Sequence, residues 1–189
     1  RLNHFGHPDA DVRHYYVDWF KTFADSIGDM GGTSVGTQFA IFTYKDFDDP
    51  GRREELTQIA IECWAEVAEH AKAAGLRYVF WEPMSVAREF GETIAACIAL
   101  QDRLTTAKMA VPMWMMADID HGDVTSANPD DFAAFGGLMV KQSNTEGRRI
   151  FASLGWPSKT RRFMPLRDHP RDGAMVTMRL AFPSAFTVL

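Results

Sequence analysis

Residues 76–82, LRYVFWE, form a short and largely apolar run that ends in a carboxylate. Residues 109–118, MAVPMWMMAD, repeat this form further along the chain. Runs of this kind are typical of parallel strands that are buried on both faces. Each run therefore predicts a buried strand that is followed at once by an acidic residue, Glu82 in the first case and Asp118 in the second.

Along the chain, helices are predicted before the first of these strands and between the two. Apolar residues recur at helical spacing over residues 11–27, 52–74 and 88–104, which indicates amphipathic helices. Residues 34–43, SVGTQFAIFT, have the β-branched and aromatic content of a strand. A short helix from Asn128 and a further strand over residues 137–142 complete the pattern. The alternation of helices and strands predicts an α/β fold with a parallel sheet.

Polar residues stand at the ends of three successive predicted strands. Glu82 and Asp118 end two of them, and Lys141 with Gln142 ends the third. In a (β/α)8 barrel the active site is built at the carboxyl ends of the strands. The pattern therefore favours part of a TIM barrel over an open sheet, with one shared site.

Composition excludes several classes of protein. The 189 residues carry a net charge of -5 with 24% charged residues, which disfavours a disordered chain and a nucleic-acid partner. We expect no membrane span and no secretory leader, and hence a cytoplasmic protein. The only cysteines, Cys63 and Cys97, fall on predicted helix stripes and are expected to be buried free thiols. Residues 31–36 lack a nucleotide fingerprint, so no nucleotide cofactor is expected.

The charge is distributed unevenly along the chain. Residues 148–189 hold eight Lys or Arg and two acids, whereas residues 1–147 hold twelve Lys or Arg and 23 acids. The basic segment also lacks helical periodicity. We therefore expect a barrel domain over 1–147 and a separate basic tail over 148–189, and truncation or a change of reading frame near Arg148 would explain the break.

Glu82 and Asp118 are the strongest candidates for chemistry. A carboxylate at the rim of a buried strand needs a partner, and for Glu82 that partner is either a metal ion or a structural group such as Arg88. Asp118 is followed by His121. Either both residues bind one divalent cation, or one of them binds the cation and the other contacts the substrate. A simple polar turn is the alternative for Asp118 and His121.

Four other side chains could contact a substrate. His4 and His7 could line a sugar pocket or lie on the surface. Arg88 and Lys141 could bind a phosphate through charge-assisted hydrogen bonds, although an ordinary salt bridge is the alternative for Arg88.

The runs WEPMSV (81–86), ADIDHGD (117–123) and VKQS (140–143) resemble the xylose-isomerase-like barrel family of sugar and sugar-phosphate isomerases and epimerases. Residues 1–9 and 91–93 resemble the branch of that family that racemises tetrulose phosphates in bacterial erythritol catabolism. The resemblance covers about residues 1–150. It implies a TIM barrel that in this chain lacks strands at both ends.

The resemblance also implies roles for individual residues. Glu82 would be a ligand of a divalent metal (Mn, Mg, Co or Zn) and one half of an acid/base pair. Asp118 would be the second ligand, and His121 would lie beside metal and substrate. Where the family has a third ligand, a histidine, this chain has Met139, so Gln142 would have to substitute. No glutamate matches the fourth ligand.

The sequence therefore predicts a metal-dependent isomerase or epimerase that removes a proton next to the carbonyl of a small ketose phosphate, through an enediolate. Its partner would be a sugar phosphate, and homo-oligomers are possible. The alternatives are a non-catalytic remnant of such an enzyme, a tetrulose-phosphate oxidoreductase and a barrel endonuclease. The acidic charge of residues 1–147 disfavours the endonuclease.

Overall fold

The computed structural model describes residues 3–118 and 150–153. The elements are α1 (Ala10–Asp29), β1 (Ser34–Gln38), α2 (Tyr44–Asp48), α3 (Pro50–Ala73), β2 (Tyr78–Glu82), a 3-10 turn (Ala87–Glu89), α4 (Ile94–Thr106), β3 (Met113–Asp118) and β4 (Ile150–Ser153). The four strands form one parallel sheet in the order β1-β2-β3-β4. This order follows the chain and never reverses, as expected for the wall of a barrel and not for a doubly wound sheet. The helix predicted from Asn128 and the strand predicted over 137–142 lie outside the described residues.

Polar side chains set where the helices begin. Asp9, Thr43, Asp49 and Thr93 each accept a hydrogen bond from a backbone N–H in the first turn of α1, α2, α3 and α4, which satisfies donors that have no partner within the helix. The predicted helices over 11–27 and 52–74 are confirmed as α1 and α3. The short helix α2 was not predicted.

Three predicted boundaries were wrong for local backbone reasons. The helix predicted from residue 88 begins only at Ile94, because Phe90 and Gly91 adopt φ values of 67° and 89° and reverse the chain. The strand predicted over 109–117 begins at Met113, immediately after Pro112, which has no N–H to donate. The strand predicted over 34–43 ends at Gln38, because the apolar residues that follow it are buried as a loop.

The helices cover one face of the sheet. Val79, Trp81, Met113 and Met115 are buried on that face, and the Trp81 indole donates to Gln101 of α4 at 2.8 Å. Between α1 and α3, Trp64 packs against aromatic residues and donates to the Phe39 carbonyl oxygen at 2.9 Å. A continuous apolar core therefore packs between the helices and this face of the sheet.

Residues on the opposite face of the sheet are half-buried. In register along β1 and β2 this face carries the pairs Ser34–Tyr78, Gly36–Phe80 and Gln38–Glu82. The Tyr78 ring stacks on Trp114 of β3 with centroids 4.9 Å apart. In a closed barrel this face would line the interior. Its polar residues, Gln38 and Glu82, lie at the carboxyl ends of the strands.

The strand β4 lies in the segment that the sequence analysis assigned to the basic tail. Ile150–Ser153 pairs in parallel with β3, and Ser153 is level with Asp118. The domain boundary at residue 148 stays a prediction, although the first residues beyond it extend the sheet.

Both cysteines are free thiols, as predicted. Cys63 is half-buried and Cys97 is buried, and burial raises the pKa of Cys63 to about 11 and that of Cys97 to about 12. Among the helices that the structure describes, none has the length and apolar character to cross a membrane.

Candidate functional site

Glu82 and Gln38 end neighbouring parallel strands side by side. They form the last pair in the register between β1 and β2, so both stand at the carboxyl edge of the sheet, where adjacent strands are about 4.8 Å apart. Both side chains are half-buried. A carboxylate and a primary amide therefore stand next to each other where a barrel builds its active site.

Gln38 is a candidate that the sequence analysis missed. Its position was hidden because the apolar and β-branched run FAIFT follows it, and that run made the strand appear to extend to residue 43. The signal was nevertheless present, since Gln38 is a polar residue after a strand, as Glu82 is. The Thr37 hydroxyl donates to its side-chain oxygen at 3.4 Å, which leaves the amide N–H groups for another acceptor.

Asp118 ends β3 at the same edge of the sheet. Met115 is level with Trp81, so Asp118 lies two residues, or about 6.6 Å, beyond the position that is level with Glu82. The side chain of Asp118 and all atoms of His121, Lys141 and Gln142 lie outside what the structure describes. Their predicted roles as ligands or substrate contacts stay predictions.

His4 lies beside the carboxyl end of β1. The neighbouring Asn3 amide donates to the carbonyl oxygens of Gln38 and, at 3.3 Å, of Phe39, and this fixes the segment before α1 against the strand end. Burial, together with the nearby His7, lowers the pKa of His4. A neutral imidazole at this edge can accept as well as donate a hydrogen bond.

His7 has a structural role at the start of α1. Its Nδ1 accepts from the Asp9 backbone N–H at 3.1 Å, and its carbonyl oxygen accepts from Arg13 at 2.6 Å. The rings of His4 and His7 meet edge to face, with centroids 5.6 Å apart. His7 therefore orders the turn that carries His4.

Tyr16 joins α1 to the same strand end. Its ring contacts His4 edge to face at 5.6 Å. Burial raises the pKa of Tyr16, and a hydrogen bond with the Thr37 side chain partly offsets that rise. The phenol is therefore a neutral hydrogen-bonding group beside Thr37, the residue before Gln38 in β1.

Arg88 lies in the loop that follows Glu82. Its Nη1 donates to the Phe42 carbonyl oxygen at 3.1 Å, and its Nη2 lies 3.1 Å from the Glu89 carboxylate. The guanidinium also covers the ring of Tyr44 at 5.0 Å. Arg88 is thus engaged by three groups of the protein and is not paired with Glu82.

A divalent cation was expected at this edge. Within residues 3–118 and 150–153, no three His, Cys, Asp or Glu side chains cluster closely enough to hold one. Of the four predicted ligands, only Glu82 has a described side chain, and its half-buried carboxylate at the strand end is of a type that suits a hard cation.

Comparison with known proteins places these features in context. No family model matches the chain. Over 132 residues, or 70% of its length, the chain is 84% identical to D-erythrulose 1-phosphate 3-epimerase of Brucella abortus (strain 2308). The match covers 43% of that protein, so the chain spans less than half the length of this curated relative.

One solved structure confirms the predicted α/β barrel fold. A protein of Rhodospirillum rubrum ATCC 11170, assigned as a xylose isomerase, overlaps 88% of this chain and 67% of its own, with a TM-score of 0.63 and 20% identity. A D-psicose 3-epimerase of Clostridium cellulolyticum H10, crystallised with D-tagatose, overlaps 60% of this chain and 38% of its own at a TM-score of 0.46 and 15% identity. The overlap with the Rhodospirillum protein supports the assignment of the described sheet to part of a TIM barrel.

Proposed function

We propose that this chain is a member of the xylose-isomerase-like barrel family and functions as an epimerase of a small ketose phosphate, a proposal supported by its 84% identity to the Brucella relative over 132 residues. The name of the Brucella relative suggests erythrulose 1-phosphate as the substrate. That sugar has a single stereocentre, at C3, so epimerisation there interconverts two mirror images and is also a racemisation. A phosphorylated metabolite as substrate favours a cytoplasmic location.

The position of Glu82 is the observation that carries the proposal. Inversion at a carbon next to a carbonyl requires a base to remove the proton and an acid to return one on the other face. Glu82 is half-buried at the carboxyl edge of a parallel sheet, which is where such a base belongs in a barrel. Glu82 removes the C3 proton from one face of the sugar and, in the reverse direction, returns a proton to that face, while a second acid/base group acts on the opposite face.

Neighbouring groups orient the sugar in this proposal. The Gln38 amide, level with Glu82, donates to a substrate hydroxyl or carbonyl oxygen. His4 supports the same edge through the Asn3 segment, and Lys141 is proposed to bind the phosphate.

The divalent cation remains part of the proposal. Glu82, Asp118, His121 and Gln142 are the residues proposed to hold it. When bound, a cation at this edge supplies polarisation of the substrate carbonyl and stabilises negative charge on its oxygen.

Substitution of Glu82 tests the function. The measurement is incorporation of deuterium from heavy water at C3 of erythrulose 1-phosphate, followed by NMR. The unsubstituted protein should exchange this proton, and Glu82→Gln should lower the exchange rate by at least about 100-fold, the usual contribution of an acid/base group. Exchange by Glu82→Gln at the normal rate would refute the role of this residue.

Glu69→Gln is the matched control, because Glu69 is an exposed residue of α3 and undergoes the same change. It should leave exchange unaltered. A thermal titration with Mn²⁺ and the substrate addresses the alternative that the chain is non-catalytic. Absence of both exchange and stabilisation in the unsubstituted protein would favour that alternative.

A further inference from the structure

The loop that follows β2 is a compact unit with its own hydrogen bonds. The Met84 N–H donates to the Phe90 carbonyl oxygen at 2.8 Å, and the Glu89 N–H donates to that of Val86 at 2.8 Å. Gly91 closes the loop with a φ of 89° and lies against Pro83, where an added Cβ would come within 2.6 Å. Arg88 is therefore presented by a backbone that is already ordered.

This loop is docked on the loop that follows β1. The Phe42 N–H donates to the Arg88 carbonyl oxygen at 3.0 Å, and Arg88 Nη1 returns a bond to the Phe42 carbonyl oxygen at 3.1 Å. The Phe90 ring adds edge-to-face contacts with Phe39 and Phe42, at centroid distances of 4.9 and 5.0 Å. Arg88 thus contributes both its backbone and its side chain to the junction between the loops.

Both terminal nitrogens and one face of the guanidinium are engaged by protein groups, whereas Nε is buried without a hydrogen-bond partner among the described residues. Its charge is matched by Glu89, whose side chain is only 16% exposed, against 26% for Arg88. Tyr44 covers its face at 5.0 Å, an arrangement in which a cation is held by the ring. A phosphate at Arg88 would have to compete with a carboxylate that is already in place.

The two loops joined by Arg88 begin directly after Gln38 and Glu82. The docking of the loops therefore adds to the strand pairing in fixing the positions of both strand ends. We propose that Arg88 is a positioning residue that holds Gln38 and Glu82 at a fixed spacing, and not the phosphate ligand that the sequence suggested. This inference rests on the proposed function for its kinetic test, but its structural test is independent of activity.

The kinetic test uses Arg88→Lys, which retains the charge but loses the planar guanidinium that bonds Phe42 and Glu89 at once. Rates are compared for erythrulose 1-phosphate and for erythrulose without the phosphate. A positioning role predicts that kcat/KM falls by the same factor, about 10-fold, for both sugars. A loss confined to the phosphorylated sugar would overturn the proposal, because only a phosphate ligand distinguishes the two.

The structural test is hydrogen exchange of backbone amides in the purified protein. Arg88→Lys should accelerate exchange in residues 39–44 and 83–91 by at least about 10-fold and leave α1 and α3 unchanged. Unaltered exchange in both loops would overturn the proposal. If the unsubstituted protein shows no activity while the loops respond as expected, the proposed function fails and the positioning role stands.

Arg103→Lys is the matched control, because Arg103 forms a two-point salt bridge with Glu54, at 2.8 and 2.9 Å, between α4 and α3. It should change neither the rates nor loop exchange. Glu89→Gln provides a test that keeps Arg88 intact, with inorganic phosphate as the probe. Unchanged phosphate affinity supports the positioning role, whereas binding tightened by 10-fold or more would show that the released guanidinium is a phosphate site.

Discussion

Gln38 and Glu82 are paired at the last position of the register between β1 and β2. Side chains at paired positions of adjacent parallel strands point to the same face of the sheet, so these two groups are neighbours. The pair unites a neutral hydrogen-bonding group with a candidate base. This relationship leads to the first prediction.

Gln38→Glu should slow epimerisation. The substitution replaces the amide donor next to Glu82 with a second carboxylate, which repels both the candidate base and the negative charge that develops on the substrate oxygen. We expect kcat/KM to fall by at least about 10-fold. Gln58→Glu on the exposed face of α3 is the control. An unchanged rate would mean that Gln38 does not lie next to the reacting part of the substrate.

Gln101→Leu should destabilise the protein. The buried amide accepts from the Trp81 indole at 2.8 Å and donates to the Met113 carbonyl oxygen at 3.1 Å. Leucine would leave both groups buried without these partners, at a cost of roughly 2–4 kcal/mol in the free energy of unfolding. Urea unfolding measures the change. Gln58→Leu, at an exposed site, should stay within about 0.5 kcal/mol of the unsubstituted protein.

Gly36→Ala should disrupt the sheet. The Phe80 ring and carbonyl oxygen occupy the space that a Cβ at residue 36 would need, so β1 and β2 would have to separate. We expect a loss of about 3 kcal/mol or more, since overpacking in a rigid core is poorly relieved. Thermal unfolding measures it. Gly51→Ala lies in α3 with room for a methyl group and should be neutral or slightly stabilising, because alanine favours helix.

Neither thiol should react readily in the folded protein. At pH 8, pKa values of about 11 for Cys63 and about 12 for Cys97 leave about one thiol in a thousand or fewer ionised. Reaction with a chromogenic disulfide should therefore be slow until guanidinium unfolds the chain. Rapid modification of either thiol without denaturant would contradict its burial.

The same pKa values predict a loss of stability in alkali. In the unfolded chain the thiols ionise near their ordinary pKa of 9.0, whereas in the folded chain they hold their protons to about pH 11 or 12. The unfolded state therefore binds fewer protons in this interval, and the free energy of unfolding falls as pH rises through it. Replacing Cys97 with alanine should remove its share of the slope in urea unfolding measured between pH 8 and 11.

Local sequence patterns predicted most of the elements. The spacing of apolar residues located α1 and α3 within two residues at each end, because one helical face must meet the core along its whole length. The same reasoning failed between Arg88 and Thr93, where a 3-10 turn and two residues of positive φ interrupt an apparently helical pattern. A left-handed Phe90 has no signature in sequence, since its conformation depends on packing against Phe39 and Phe42.

The candidate site was predictable only in part. Glu82 was identified because it follows a buried strand, and that relation is local. Gln38 was missed because the loop that follows it is as apolar as a strand. That loop is buried against the loop that contains Arg88, about 50 positions away in the sequence, so no local pattern reveals it.

The alternation of parallel strands with helices, and the acidic residues that follow two of the strands, could be predicted because these features depend on spacing along the chain. The folded structure was needed to show that Gln38 is level with Glu82 and that Arg88 is engaged by Phe42, Tyr44 and Glu89. Register and loop docking are set by contacts between distant segments, and many residue patterns are compatible with more than one such arrangement.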